Sequence, residues 1–207
     1  MKRRASLRAI VRATFGAAVG ATIGVPLLLA GCGRSPASFK ATDITGAQFG
    51  RDFVITDHNG NPRALADFKG RVVVVFFGYV QCPDVCPTTL STLREVRERL
   101  GVDGDRLQVV FITVDPERDT REVLSQYVPA FNPGFVGLYG DAAATEKVTK
   151  EFRVLYAKNP GKTPTSYTVD HSAGVFIFDT QGRIRLYASQ NMTVENYLHD
   201  VKALLAQ

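Results

Sequence analysis

Residues 76–87 read FFGYVQCPDVCP, an apolar run that leads into Cys82 and Cys86, each followed by proline. Two thiols at this spacing can close a structural disulfide, cycle as a redox couple, or hold a soft metal ion as thiolates. One more cysteine, Cys32, and three histidines, His58, His171 and His199, complete the set of soft and borderline donors. Which chemistry the pair performs depends on where the fold puts it and on what other donor it meets.

The elements that must position the pair can be read from the pattern. The run VVVVFF (Val72–Phe77) is apolar on both faces and rich in β-branched residues, as expected of a central strand covered on both sides. A helix is predicted from Pro87 to about Arg99, with Leu90, Leu93, Val96 and Leu100 along one stripe; proline suits the first helical position, which puts Cys86 at the N-cap. LQVVFITV (Leu107–Val114) reads as a second buried strand, so strand, helix and strand form a βαβ unit with a right-handed crossover.

Asp119, with Glu122 three residues on, reads as the capping box of the next helix, which ends near Val128 before Pro129 and Pro133. A short strand at FVGLY and a helix over residues 142–152 follow. GVFIFD and RIRLYA, separated by TQG, make an antiparallel hairpin. Thr193 caps a closing helix whose Val194, Tyr197, Leu198, Val201, Leu204 and Leu205 keep a helical period. Ahead of all this, RDFVITD and the turn HNGNP suggest an N-terminal hairpin or a strand-turn-helix. The order predicts an α/β protein with a thioredoxin-like fold, an N-terminal β extension and an inserted helical segment.

In open α/β sheets, ligands bind beyond the carboxyl ends of the parallel strands. Cys82 and Cys86 lie there, running into a helix N-terminus that favours negative charge, so a lowered pKa is expected for a thiol at that cap. The strand GVFIF should run antiparallel beside VVVVFF, which brings the preceding VDHSAG, and with it His171, to the cysteine end of the sheet. His58, in a turn, and His199, on the closing helix, carry no such placement. Two thiolates and one imidazole suit Cu(I), whereas structural zinc takes four protein ligands and no fourth stands out.

The N-terminus reads as a targeting segment. Lys2, Arg3, Arg4, Arg8 and Arg12 precede a small-residue apolar run that ends in LAGC at Leu29–Cys32. A basic region, an apolar region and a small-residue boundary mark an export signal. The LAGC ending resembles the bacterial lipoprotein box, in which the cysteine is lipidated. This predicts a signal peptide at 1–31, lipidation of Cys32, a tether at 32–45 and a folded domain at 46–207. A transmembrane anchor is the alternative for the apolar run. The five basic residues of 1–31 equal the net charge of +5, so the remainder is neutral, and no basic patch points to nucleic acid.

CPDVCP, VDPERDT and YTVDHS, in that order across residues 45–205, together resemble the Sco/SenC family of copper-binding assembly factors for cytochrome c oxidase. The resemblance implies a thioredoxin-like fold and one copper, as Cu(I) or Cu(II), bound at Cys82, Cys86 and His171. It further implies delivery to the dinuclear copper centre of oxidase subunit II by a lipid-anchored chain on the periplasmic face of the bacterial inner membrane. A copper donor protein is then a second partner, and a monomer is expected. The chain departs from the family pattern at Val80-Gln81, just before the first cysteine.

Around the three donors, Asp84 could favour a bound cation or serve the helix start, Asp170 could orient His171, and Tyr79 should pack beside the site. Cys82 and Cys86 can also form a redox-active disulfide, so a thiol–disulfide oxidoreductase acting on the oxidase subunit is the alternative activity. A peroxidase is disfavoured, because the upstream threonine and proline of that class are missing.

Overall fold

The computed structural model describes residues 38–163 and 166–207. The expected signal peptide, the expected lipidation site Cys32 and the first part of the expected tether lie outside the described residues. Among the described residues no helix is long and apolar enough to cross a membrane.

The two buried runs form the centre of an eight-stranded sheet. Strand β1 is Thr42–Asp43, β2 is Val54–Asp57, β3 is Pro62–Ala64, β4 is Val72–Gly78 and β5 is Leu107–Thr113. Then come β6 at Val136–Tyr139, β9 at Val175–Phe178 and β10 at Ile184–Ala188, with β7 (Tyr156–Asn159) and β8 (Thr168–His171) forming a separate two-stranded hairpin. The order across the large sheet is β1-β10-β9-β4-β5-β6-β2-β3. Parallel β4 and β5 pair from Val72↔Leu107 to Gly78↔Thr113, and β9 runs antiparallel to β4, with Phe76 opposite Val175. Every residue of β4 and β5 is buried, which is why both runs lack polar alternation.

Among the described residues four α-helices cover the sheet: α1 (Val85–Arg99), α2 (Arg121–Phe131), α3 (Ala142–Phe152) and α4 (Val194–Leu205). On one face Leu90, Leu93 and Val96 of α1, Leu124 and Val128 of α2 and Val201 and Leu204 of α4 pack on Val72, Val74 and Phe76. On the other, Val148 and Phe152 of α3 meet Val73, Val75 and Phe77 together with Phe53 and Ile55. Alternate residues of one strand thus feed two cores, as its pleat requires.

Several boundaries differ from the pattern reading. Asp84, not Cys86, is the N-cap of α1, so Cys86 and Pro87 fall inside the first turn. Thr120, not Asp119, caps α2, accepting a hydrogen bond from the Val123 amide, and α2 continues through Pro129 to Phe131. The inserted segment between β5 and β9 is larger than one helix, because it also carries β6, α3 and the β7–β8 hairpin. Strand β1 lies within the stretch expected as tether. It pairs with β10, and the buried Asp200 of α4 accepts the amides of Lys40 and Ala41 at 2.9 and 2.8 Å.

Candidate metal centre

Three arms converge at the carboxyl end of β4: the loop after β4, which carries Cys82, the first turn of α1, which carries Cys86, and β8, which ends in His171. The donor atoms of Cys82, Cys86 and His171 all lie within 4.8 Å of one another. Cys86 Sγ is 3.7 Å from His171 Nε2, and the Cys86 amide donates to Cys82 Sγ at 3.4 Å. A first-turn amide of α1 therefore points at the Cys82 sulfur, where the positive end of the helix favours an anionic ligand. Both cysteines are free thiols; Cys86 is fully buried and Cys82 partly exposed.

Glycine at position 78 makes room for the pair. A Cβ there would stand 2.8 Å from Cys86 Sγ and 2.9 Å from a ring carbon of Phe111, so any side chain would drive the sulfur out of its place.

The expectation of a lowered pKa at the helix start fails for Cys86. Burial pushes its thiol up, and the hydrogen bond with Cys82 adds to the shift. A sulfur with no solvent contact loses more by desolvation than the helix end returns. Cys86 is accordingly a protonated thiol at neutral pH, and any cation that binds it must displace that proton. His171 needs no such step. Burial lowers its pKa, leaving the imidazole neutral, and its Nδ1 lies 3.1 Å from the Ser172 carbonyl. A carbonyl only accepts, so Nδ1 carries the hydrogen and Nε2 keeps its lone pair toward the sulfurs.

Tyr79 packs where expected, its ring edge-on to His171 with centroids 6.0 Å apart. Phe76 contacts the imidazole from the strand below, at 6.4 Å. Asp84 is exposed, and its side chain accepts from the Thr88 hydroxyl at the helix start. Asp170 is also exposed, and the Ser172 carbonyl holds the imidazole where a carboxylate was expected. Successive strand residues point to opposite faces, so the neighbour of an inward histidine faces out. His58 is a packed histidine whose Nδ1 accepts the Gly137 amide at 2.9 Å. His199 lies beside Asp200 at 2.8 Å.

The pattern reading takes Asp119 for a helix cap and gives no sign that the acids at 115 and 119 are buried. Asp115 and Asp119 are 0% and 1% exposed. Asp119 accepts from the Thr113 hydroxyl at 2.6 Å and from the Val80 amide at 3.0 Å. Asp115 pairs with Arg118 and accepts from the Tyr167 hydroxyl at 2.6 Å. Buried acids break no apolar period, and their one sequence signal was a place after a parallel strand.

A mixed sheet that ends in two thiols and a neutral imidazole defines a thioredoxin-like α/β protein with a soft-donor site for a metal ion. A family model described as SCO1/SenC matches residues 41–206, and the chain belongs to that family. Copper-bound ScoI of Bradyrhizobium japonicum is 40% identical, with a TM-score of 0.70 over 77% of this chain and 100% of that one. Apo Sco1 of Thermus thermophilus is 38% identical, with a TM-score of 0.73 over 82% of this chain and 98% of that one. Mouse mitochondrial SCO2 homolog is 35% identical over 157 residues, 75% of this chain and 62% of that protein's length.

Proposed function

We propose that the chain is a copper metallochaperone that carries one copper ion on Cys82, Cys86 and His171. It hands that ion on in the assembly of cytochrome c oxidase, the process with which the Sco family is linked. The observation that carries this reading is the set of three donor atoms within 4.8 Å of one another. Two thiolates and an imidazole match Cu(I) in type and number. A site that is partly open at Cys82 suits a cargo ion, because an incoming thiolate or imidazole can reach the metal and exchange with a ligand. The acceptor is the dinuclear copper centre of oxidase subunit II, and a separate protein supplies the copper. The chain works as a monomer, lipid-anchored through Cys32 to the periplasmic face of the inner membrane.

A second reading rests on the asymmetry of the two thiols. Cys82 is partly exposed and receives the helix amide, whereas Cys86 is buried behind it. That is also the arrangement of an attacking and a resolving cysteine, so the pair can reduce a disulfide on the oxidase subunit before metal enters. In that exchange two electrons pass from the dithiol to the target, whose disulfide is reduced as Cys82 and Cys86 are joined.

Anaerobic titration of the reduced chain with Cu(I) against a competing chelator separates the two readings. One tightly held equivalent, lost in each of Cys82→Ser, Cys86→Ser and His171→Ala, is the expected result. Unchanged affinity in His171→Ala would sink the three-ligand site. Weak copper binding with fast thiol–disulfide turnover would leave the reductase reading standing.

A further inference from the structure

The imidazole and the two thiols sit on arms that are far apart in the chain, and VDPERDT lies against both without supplying a ligand. Its residues make a continuous set of contacts. Asp119 Oδ2 accepts from the Val80 amide at 3.0 Å, which fastens the arm that carries Cys82 to the end of β5. The Arg118 guanidinium lies over the Tyr167 ring at 3.6 Å from its centroid. It donates to the Tyr167 carbonyl at 2.8 Å and to Gln81 Oε1 at 3.0 Å. Asp115 holds that guanidinium from behind and accepts from the Tyr167 hydroxyl at 2.6 Å. Lys158 of β7 pairs with Glu117. Tyr167 immediately precedes β8, and β8 ends in His171.

We propose that Arg118, braced by Asp115 and Tyr167, is a positioning residue that clamps the β7–β8 hairpin to the cysteine loop and so sets the approach of His171 to Cys82 and Cys86. The proposal rests on the copper reading above for its consequence, though not for the clamp itself. The reasons are physical. The hairpin is a two-stranded sheet outside the main one, and its strand β7 is mostly exposed. An isolated two-stranded hairpin is marginally stable on its own, so its position depends on what fastens it. A planar guanidinium can donate in two directions while it stacks on an aromatic face, which lysine cannot do. Arg118 uses that capacity to join Gln81, next to Cys82, with Tyr167, four residues before His171. Loss of the clamp leaves both sulfurs in place and frees the imidazole.

The test uses the full reduced chain with Arg118→Lys, Tyr167→Phe and Gln81→Ala. Gln81 is exposed and Tyr167→Phe removes one hydroxyl, so neither threatens the fold if Arg118→Lys does. In the metal-free protein, amide hydrogen exchange over 156–159 and 168–171 is expected to speed up at least tenfold in Arg118→Lys and less in the other two. With Cu(II) bound, the sulfur-to-copper charge-transfer band should persist while nitrogen hyperfine coupling weakens. Cu(I) release to a chelator should accelerate about tenfold, and in a His171→Ala background Arg118→Lys should add nothing. Unchanged hairpin exchange in all three variants overturns the clamp, and so does equal acceleration of release with His171 absent. If the wild-type chain takes up no copper, the copper reading fails, and the exchange measurement on the metal-free protein still decides the clamp.

Discussion

At the scale of single residues, the site is governed by the cost of removing ionisable groups from water. Cys86 and His171 respond in opposite senses to the same burial: the thiol keeps its proton and the imidazole does without one. Asp119 shows the same cost in a carboxylate. Burial, the largest influence, raises it from the usual 3.8 to about 6, against the bonds from Thr113 and Val80. Its Oδ1 has no hydrogen-bond partner among the described residues. A carboxyl whose folded pKa lies above its unfolded value is protonated in both states below about 4, and there it costs nothing. As pH rises through the window from 3.8 to about 6, the unfolded chain ionises first, and stability falls. The full loss is on the order of 3 kcal/mol. Asp119→Asn keeps an acceptor for Thr113 and Val80 and cannot ionise. Urea unfolding should therefore show the variant more stable than wild type at pH 7, by up to about 3 kcal/mol. The fall that wild type owes to this group between pH 4 and 6 should be absent, and equal slopes for the two proteins would refute the assignment.

At the scale of elements, the clearest contrast is between strands that announce themselves and strands that do not. Val72–Gly78 and Leu107–Thr113 were legible because burial on both faces leaves an uninterrupted apolar run. Their parallel pairing and antiparallel β9 then sufficed to bring His171 to the cysteines. The β7–β8 hairpin, on which His171 rides, was not legible. Its YAKN and TVDH strands bury only Val169 fully, so no alternation marks them. Reading Pro87 as the first helical residue puts Cys86 two positions too early in α1, because the N-cap is Asp84 and the helix starts at Val85. Strand β1 was missed for another reason: its hold is the Asp200 carboxylate, 160 residues from Lys40 in sequence. No local pattern encodes a contact of that span. Asp200→Ala should leave the amides of Lys40 and Ala41 unpaired and cost about 1–3 kcal/mol in urea unfolding. Hydrogen exchange at residues 40–44 should rise well above that of β10. Asp200→Asn, which retains an acceptor, should recover part of both effects. Full protection of 40–44 in the alanine variant would show that pairing with β10 alone holds β1.

At the scale of the whole domain, a metal at this centre acts as a cross-link. Cys86 and His171 are 85 residues apart in sequence, and they lie on a helix that packs on one core and on a hairpin outside the main sheet. An ion that binds only the folded arrangement stabilises it by mass action, by about 4.1 kcal/mol when free ligand is a thousand times its dissociation constant. For a domain of this size each kcal/mol moves the unfolding midpoint by roughly 2–4 °C. Reduced protein with one equivalent of Cu(I) should therefore unfold roughly 8–16 °C above its metal-free form. Joining Cys82 and Cys86 as a disulfide removes both thiolates at once, so oxidised protein given the same copper should show almost none of that gain. His171→Ala should fall between these cases, because two sulfurs still grip the ion while the hairpin no longer does. A comparable rise in oxidised protein would place the copper elsewhere, whereas a full rise in His171→Ala would mean that the hairpin adds nothing to the grip.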